Sequence, residues 1–156
     1  MMLPKELAEE GVESDVRAVL ERESTEIQGE TTLSIPVLKL NAELRKSLFY
    51  AKCMEQVLVG YDAIVKSLAG ERFGLQKVDN QSERVSRMLL VTNDGSPRFY
   101  RELVFLNKKH GERVLICLLD MDGLALGRVL GLRGRAVKAM LLNRKAAVVN
   151  VLKSLR

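Results

Sequence analysis

RMLLVTNDGSPRFYRELVFLNKKHGERVLICLLDMDGLALGRVLG, residues 87–131, decides the fold class. It opens on an apolar run and breaks at Asn93-Asp94-Gly95. Ser96 then stands as a helix cap, with Pro97 at the first helical position. RFYRELVFLNKKH places Phe99, Leu103 and Leu106 along one stripe at helical spacing. VLICLL carries no polar side chain on either alternation, which predicts a strand covered on both faces. DGLALGRVLG returns to a short helix. Strand, helix, strand, helix in succession is the pattern of a layered α/β domain.

The pattern extends both ways. NAELRKSLFYAKC predicts a helix capped by Asn41, with Leu44, Leu48 and Ala51 on one face. QVLVG predicts a short strand ended by Gly60. YDAIVKSLAG predicts a short helix with Ile64, Val65 and Leu68 inward and Gly70 past its end. Residues 71–86 are polar and aperiodic and read as a long loop. RAVKAMLL predicts a strand, and RKAAVVNVLKSL a last helix with Val148, Val151, Leu152 and Leu155 inward. Residues 41–156 therefore predict one domain, a three-layer α/β/α sandwich around a mixed four-stranded sheet.

Residues 1–40 differ in composition. SDVRAVLERE predicts a helix capped by Ser14, and STEIQGETTLSIPVLKL mixes turn residues with a strand-like run interrupted by Pro36. The expectation is an acidic N-terminal appendage, helical and extended, docked on the domain or partly mobile.

Charge follows the same division. The whole chain carries +5. Residues 1–40 hold four basic and nine acidic side chains, a net of −5, and residues 41–156 hold twenty-one basic and eleven acidic, a net of +10. An excess of that size on a small domain suits an anionic partner, nucleic acid first; solubility alone is the plainer account. No apolar stretch reaches the length of a membrane span, and the first twenty residues are acidic rather than signal-like, so a cytoplasmic location is expected. Cys53, Cys117 and His110 are too few and too scattered for a metal site or a disulfide framework, and both cysteines are expected to be buried. No cofactor is expected. Asn80-Gln81-Ser82 fits a glycosylation acceptor but has no secretory context.

Asp120-Met121-Asp122-Gly123 after an apolar strand matches the opening motif of aspartate-nucleophile phosphatases. Such a site needs a further carboxylate for magnesium, together with a hydroxyl and a lysine for phosphate, on later strand ends. The thirty-four residues after Asp122 contain no Asp, Glu or Thr, and their one Ser is Ser154 near the terminus. Asp122 is better read as a helix cap. No other nucleophile constellation occurs, so the chain is expected not to be an enzyme.

FYAKCMEQVLVGYDAIVKSLAG resembles the kink-turn-binding superfamily that contains archaeal ribosomal protein L-seven-Ae, most closely its bacterial YlxQ and YlxR-type members. Gly60, Ile64 and Lys66 match the family's Gly-x-x-x-(Val/Ile)-x-Lys helix start. LLVTNDGSP is similar to its strand followed by Ala-x-Asp-Ala-Ser, with Asp94 and Ser96 aligned. Leu126, Gly127 and Gly131 match Glu-Leu-Gly-x-Ala-(Ile/Leu)-Gly. The likeness spans roughly residues 42–155. It implies binding of structured RNA, ribosomal or kink-turn-like, around Gly60, Tyr61, Asp62, Ala63 and Lys66. The family's Asn-Glu pair, which contacts guanine edges, is replaced here by Asp62-Ala63.

The residues support the same expectation on their own chemistry. Gly60 allows close backbone approach and precedes a helix whose first N–H groups suit phosphate. Tyr61 offers a ring for stacking and Lys66 a charge. Arg128, Arg133 and Arg135 stand among glycines in a stretch that reads as a flexible loop able to wrap RNA. Each has a plainer alternative: Gly60 as a strand end, Tyr61 as packing, Lys66 as a solvated lysine. A second functional reading is a protein-interaction or stress-response regulatory module on the same fold, for which protein partners would be needed. The acidic N-terminal segment could also cover the basic surface, in which case deleting residues 1–40 should strengthen RNA binding.

Overall fold

The computed structural model describes residues 1–75 and 84–156. Two short helices, α1 (Lys5–Glu9) and α2 (Glu13–Arg22), lead into a hairpin of β1 (Ser24–Gln28) and β2 (Thr32–Leu38). Alternation then begins with α3 (Ala42–Cys53), β3 (Val57–Val59), α4 (Tyr61–Leu75), β4 (Arg87–Val91) and α5 (Pro97–His110). It ends with β5 (Val114–Leu119), α6 (Gly123–Val129), β6 (Ala139–Leu142) and α7 (Lys145–Ser154). The sheet order is β1-β2-β5-β4-β6-β3. Strands β2, β5 and β4 run parallel; β1, β6 and β3 are antiparallel to their neighbours.

Side-chain alternation divides the interior into two cores. On β4, Met88 and Leu90 face one way and Leu89 and Val91 the other. On β5, Leu115, Cys117 and Leu119 oppose Val114 and Ile116, and on β6, Met140 and Leu142 oppose Ala139 and Leu141. The first face receives α3, α6 and α7 through Leu44, Leu48, Leu126, Val148 and Leu152. The second receives α4 and α5 through Ile64, Leu68, Leu103 and Leu106. Doubly covered central strands explain why VLICLL alternates nothing but apolar residues. Three of the four expected caps form. Asn41 Oδ1 accepts from Leu44 N–H at 2.8 Å, Ser96 Oγ from Phe99 N–H at 3.1 Å, and Asp122 Oδ1 from Ala125 N–H at 2.8 Å, each worth about 1 kcal/mol.

The sheet has six strands rather than four. The additional pair comes from the stretch expected to be an appendage: β2 continues the sheet beside β5 through Val37 opposite Leu118 and Leu38 opposite Leu119. Pro36 is tolerated because pairing to β5 starts only at Val37, after the proline's missing N–H. Leu7, Val16 and Leu20 of α1 and α2 complete the first core. Acidic side chains of α1 and its C-terminal cap pair with α7, Glu6 with Lys145 and Glu10 with Lys153, both at 3.1 Å. Residues 1–40 are thus held against α7 and the flank of the sheet.

Four further expectations shift. Helix α2 starts at Glu13, with Val12 rather than Ser14 at its cap position. Helix α4 continues through Gly70 to Leu75. A glycine inside a helix costs only about 1 kcal/mol, and Glu71, one residue later, anchors the added turn to Arg87 and Arg113 at 3.0 and 2.8 Å. The long loop is shortened accordingly; its residues 76–83, including Asn80-Gln81-Ser82, lie outside the described residues. Strand β6 spans Ala139–Leu142 alone, because Arg135–Lys138 belong to the preceding loop. Cys117 is buried, but Cys53 is exposed at the end of α3, where Leu44, Leu48 and Ala51 take the inward face. Among the described residues no helix is long and apolar enough to cross a membrane.

Candidate nucleic-acid interface

Strand β3 hands the chain to α4 through Gly60. Its φ of +98° lies where side-chained residues are strained, so the turn needs glycine. The Gly60 N–H donates to the Ala139 carbonyl at 3.2 Å, and its own carbonyl accepts from Ile64 N–H at 3.1 Å. One glycine therefore joins the start of α4 to the start of β6. Tyr61 follows, half-buried, with its ring edge-on to Phe99 at 5.2 Å and 75°. Burial, aided by Glu102 and Asp62, pushes its phenol up to about 12. Tyr61 is a packing residue first; its ring is committed to Phe99.

The arginine-bearing loop between α6 and β6 is tied down along its length, contrary to the flexible loop the sequence suggests. Gly131 and Gly134 adopt φ of +77° and +76°. Leu132 N–H donates to the Gly127 carbonyl at 2.7 Å, Arg135 N–H to Leu132 at 3.2 Å and Val137 N–H to Gly123 at 2.9 Å. The Lys138 carbonyl accepts from Thr92 N–H at 3.0 Å.

Asp94 secures the far end. Its carboxylate accepts from Lys138 Nζ at 2.6 Å, from Thr92 Oγ1 at 2.7 Å and from Gly123 N–H at 3.1 and 3.2 Å. Burial raises the pKa of Asp94, but the bonds from Lys138, Thr92 and Gly123 outweigh it and hold the carboxyl down at about 2. The turn after β4, the start of α6 and the end of the arginine loop meet on this one side chain.

These elements enclose a notch of about 510 Å³. Val59, Phe99, Val137 and Ala139 form its apolar floor, and Asp94, Ser96, Arg135 and Lys138 its polar rim. Gly60, Tyr61 and Arg135 are brought together there. Because Asp94 and Lys138 satisfy one another, Arg135 is the uncompensated charge on the rim. Arg133, two residues earlier, and Arg128, in the last turn of α6, are exposed beyond it. Lys66 is not in the notch; it lines a neighbouring groove between α4 and α5 with Glu102 and Phe105. Asp62 and Ala63 are exposed in the first turn of α4, where the Asp62 carboxylate sits on the helix's positive end and competes with any phosphate approaching it. Lys138 is the rim residue the sequence hides, since RAVKAMLL reads as uninterrupted strand.

The two phosphatase-like aspartates have other partners. Asp122 caps α6, and Asp120 Oδ1 accepts from Asn93 Nδ2 at 3.1 Å.

No protein-family model and no curated protein matches the chain. Solved structures do. A Bacillus halodurans protein of unknown function superposes with a TM-score of 0.55 at 13% identity, over 74% of this chain and 98% of that one. The Giardia lamblia 15.5 kD RNA binding protein superposes with a TM-score of 0.51 at 13% identity, over 74% of this chain and 87% of that one. At that identity the likeness is one of fold.

Proposed function

We propose that this chain is a non-catalytic RNA-binding protein that holds structured RNA, ribosomal or kink-turn-like, in the notch between Gly60 and Arg135. The observation that carries this is the convergence of a glycine-started helix and a braced arginine loop on one open cavity. Helix N–H groups and an unpaired guanidinium are a pairing that suits phosphate oxygens. The excess of +10 over residues 41–156 supplies the long-range attraction. The RNA-binding Giardia protein of the same fold is consistent with this reading. With Asp62-Ala63 at the helix start, shape and backbone recognition are favoured over reading of guanine edges. Asp122 as the cap of α6 and Asp120 as an acceptor for Asn93 support the non-catalytic reading.

The test is fluorescence anisotropy with a hairpin containing a kink-turn and a fully paired hairpin of equal length, each at several salt concentrations. Wild type should bind the kinked RNA more tightly, with affinity falling steeply as salt rises. Arg133→Ala with Arg135→Ala should weaken binding roughly tenfold or more and flatten the salt slope by about 1 to 2. Unchanged affinity in the double variant would remove the loop from the site.

One feature favours the protein-interaction reading. The α4–α5 groove, about 480 Å³, is bordered by Phe105, which is 64% exposed. If the kinked RNA fails to bind even at low salt, this groove becomes the first surface to examine.

A further inference from the structure

Beyond the notch, the arginine loop touches a second feature. Phe49 on α3 is 48% exposed, and its Cε2 lies 3.3 Å from where a Cβ on Gly131 would stand. The ring therefore rests against the start of the loop, at a position whose φ of +77° favours glycine.

Its surroundings are cationic. On α3, Arg45 and Lys52 are its i−4 and i+3 neighbours, which places them on the same stripe of the helix. On the other side, Arg128 precedes Gly131 by three residues within a turn closed by Gly131 N–H to Arg128 carbonyl at 3.1 Å, and Arg133 follows by two. Arg45, Arg128 and Arg133 are exposed and Lys52 is half-exposed. Among the described residues none of the four is in an ion pair. The loop that starts at this ring ends at Ala139 in the notch, eight residues on. Chain reach alone bounds that separation at roughly 27 Å.

We propose that Phe49 is a stacking platform for an unpaired nucleobase of RNA, with Arg45, Lys52, Arg128 and Arg133 receiving the flanking phosphates. An exposed aromatic ring, with uncompensated cations along its own helix stripe and along the loop it touches, fits a base and its backbone, since every base offers a π-face and each phosphate a charge. An apolar protein partner would leave four cations unmatched. The proposal rests on the RNA-binding reading of the notch in that one RNA is taken to reach both sites, its structured part in the notch and its single strand on the ring.

The chain contains no tryptophan, so Phe49→Trp introduces a single fluorescent reporter at the exposed ring. Four RNAs are titrated: the kinked hairpin with a single-stranded uridine overhang, the same RNA with an abasic overhang, the blunt kinked hairpin without an overhang, and a free uridine decamer. A polyglutamate peptide of matching charge is the fifth ligand. Quenching by the uridine overhang and not by the abasic one is the expected result. In parallel, Phe49→Ala should lose roughly five- to a hundredfold in affinity for the overhang RNA and nothing for the blunt hairpin. Binding of the overhang RNA without quenching, or equal behaviour of uridine and abasic overhangs, overturns the platform and leaves the notch intact. Quenching by the decamer with no binding of the blunt hairpin overturns the notch and leaves the platform. Equal quenching by polyglutamate would mean that the surface reads charge alone, and the platform falls.

Discussion

A Cβ built on Gly127 would overlap the carbonyl oxygen of Arg135. Helix α6 and the arginine loop are in backbone contact at that point, and the loop's path across the mouth of the notch is set there. Gly127→Ala must push the loop outward. Overpacking of this kind costs about 1–3 kcal/mol, so chemical denaturation should show a loss in that range. RNA affinity should fall with it, although Gly127 is buried and touches no ligand. A variant of wild-type stability would mean that the loop relaxes freely.

Asp94 predicts a pH dependence. Its folded pKa, about 2, lies below the ordinary value of 3.8. A depressed carboxyl contributes stability that is present above its unfolded pKa and is lost as pH falls through the folded one. Asp94→Asn should therefore melt below wild type at pH 6, and the gap should close between about pH 4 and pH 2. A gap that stays constant through that window would contradict the assigned role.

Glu71 carries two arginines, Arg87 from β4 and Arg113 from the turn before β5, all three roughly four-fifths covered. Glu71→Ala leaves two guanidinium groups partly buried and unpaired, at about 1–3 kcal/mol by urea unfolding. The exposed pair Arg98–Glu102 is the control: Glu102→Ala should cost under about 1 kcal/mol. Equal losses in the two variants would show that burial makes no difference here.

Asp62 holds the positive end of α4. Replacing it with Asn removes a carboxylate from the path of a phosphate. Affinity for the kinked hairpin should rise roughly two- to fivefold at low salt, with the gain shrinking as salt is added. Weaker binding by Asp62→Asn would mean that the carboxylate accepts a bond from the RNA instead.

The cysteines should separate cleanly. Burial pushes the Cys117 thiol up, whereas Cys53 is exposed. A thiol-reactive dye should label one equivalent per native chain rapidly, and the second only after denaturant is added. Two fast equivalents would place β5 within solvent reach.

Local chemistry was legible in the sequence. Asn41, Ser96 and Asp122 announced their helices because a cap bonds within three residues. The apolar run of β5 announced a covered strand for the same reason of short range. What escaped depends on distant partners. Pro36 looked like a break because β2's alignment with β5 is set some eighty residues away. Gly70 looked like a stop because the hold on the following turn is supplied by Arg87 and Arg113. At the candidate site, Gly60 and Arg135 were singled out by their glycine context. Lys138 was not, since its role comes from Asp94 across the sheet. For Tyr61 the sequence left stacking and packing both open, and the contact with Phe99 that decides for packing lies thirty-eight residues away.

The hairpin of β1 and β2 has a practical consequence for anyone preparing this protein. Shortening the chain to begin at Asn41 would strip the flank of β5 and remove Leu7, Val16 and Leu20 from beneath it. The bared ladder of VLICLL would be a template for self-association. The trimmed product should therefore be recovered as insoluble aggregate, while the chain with residues 1–40 in place should give a monodisperse sample.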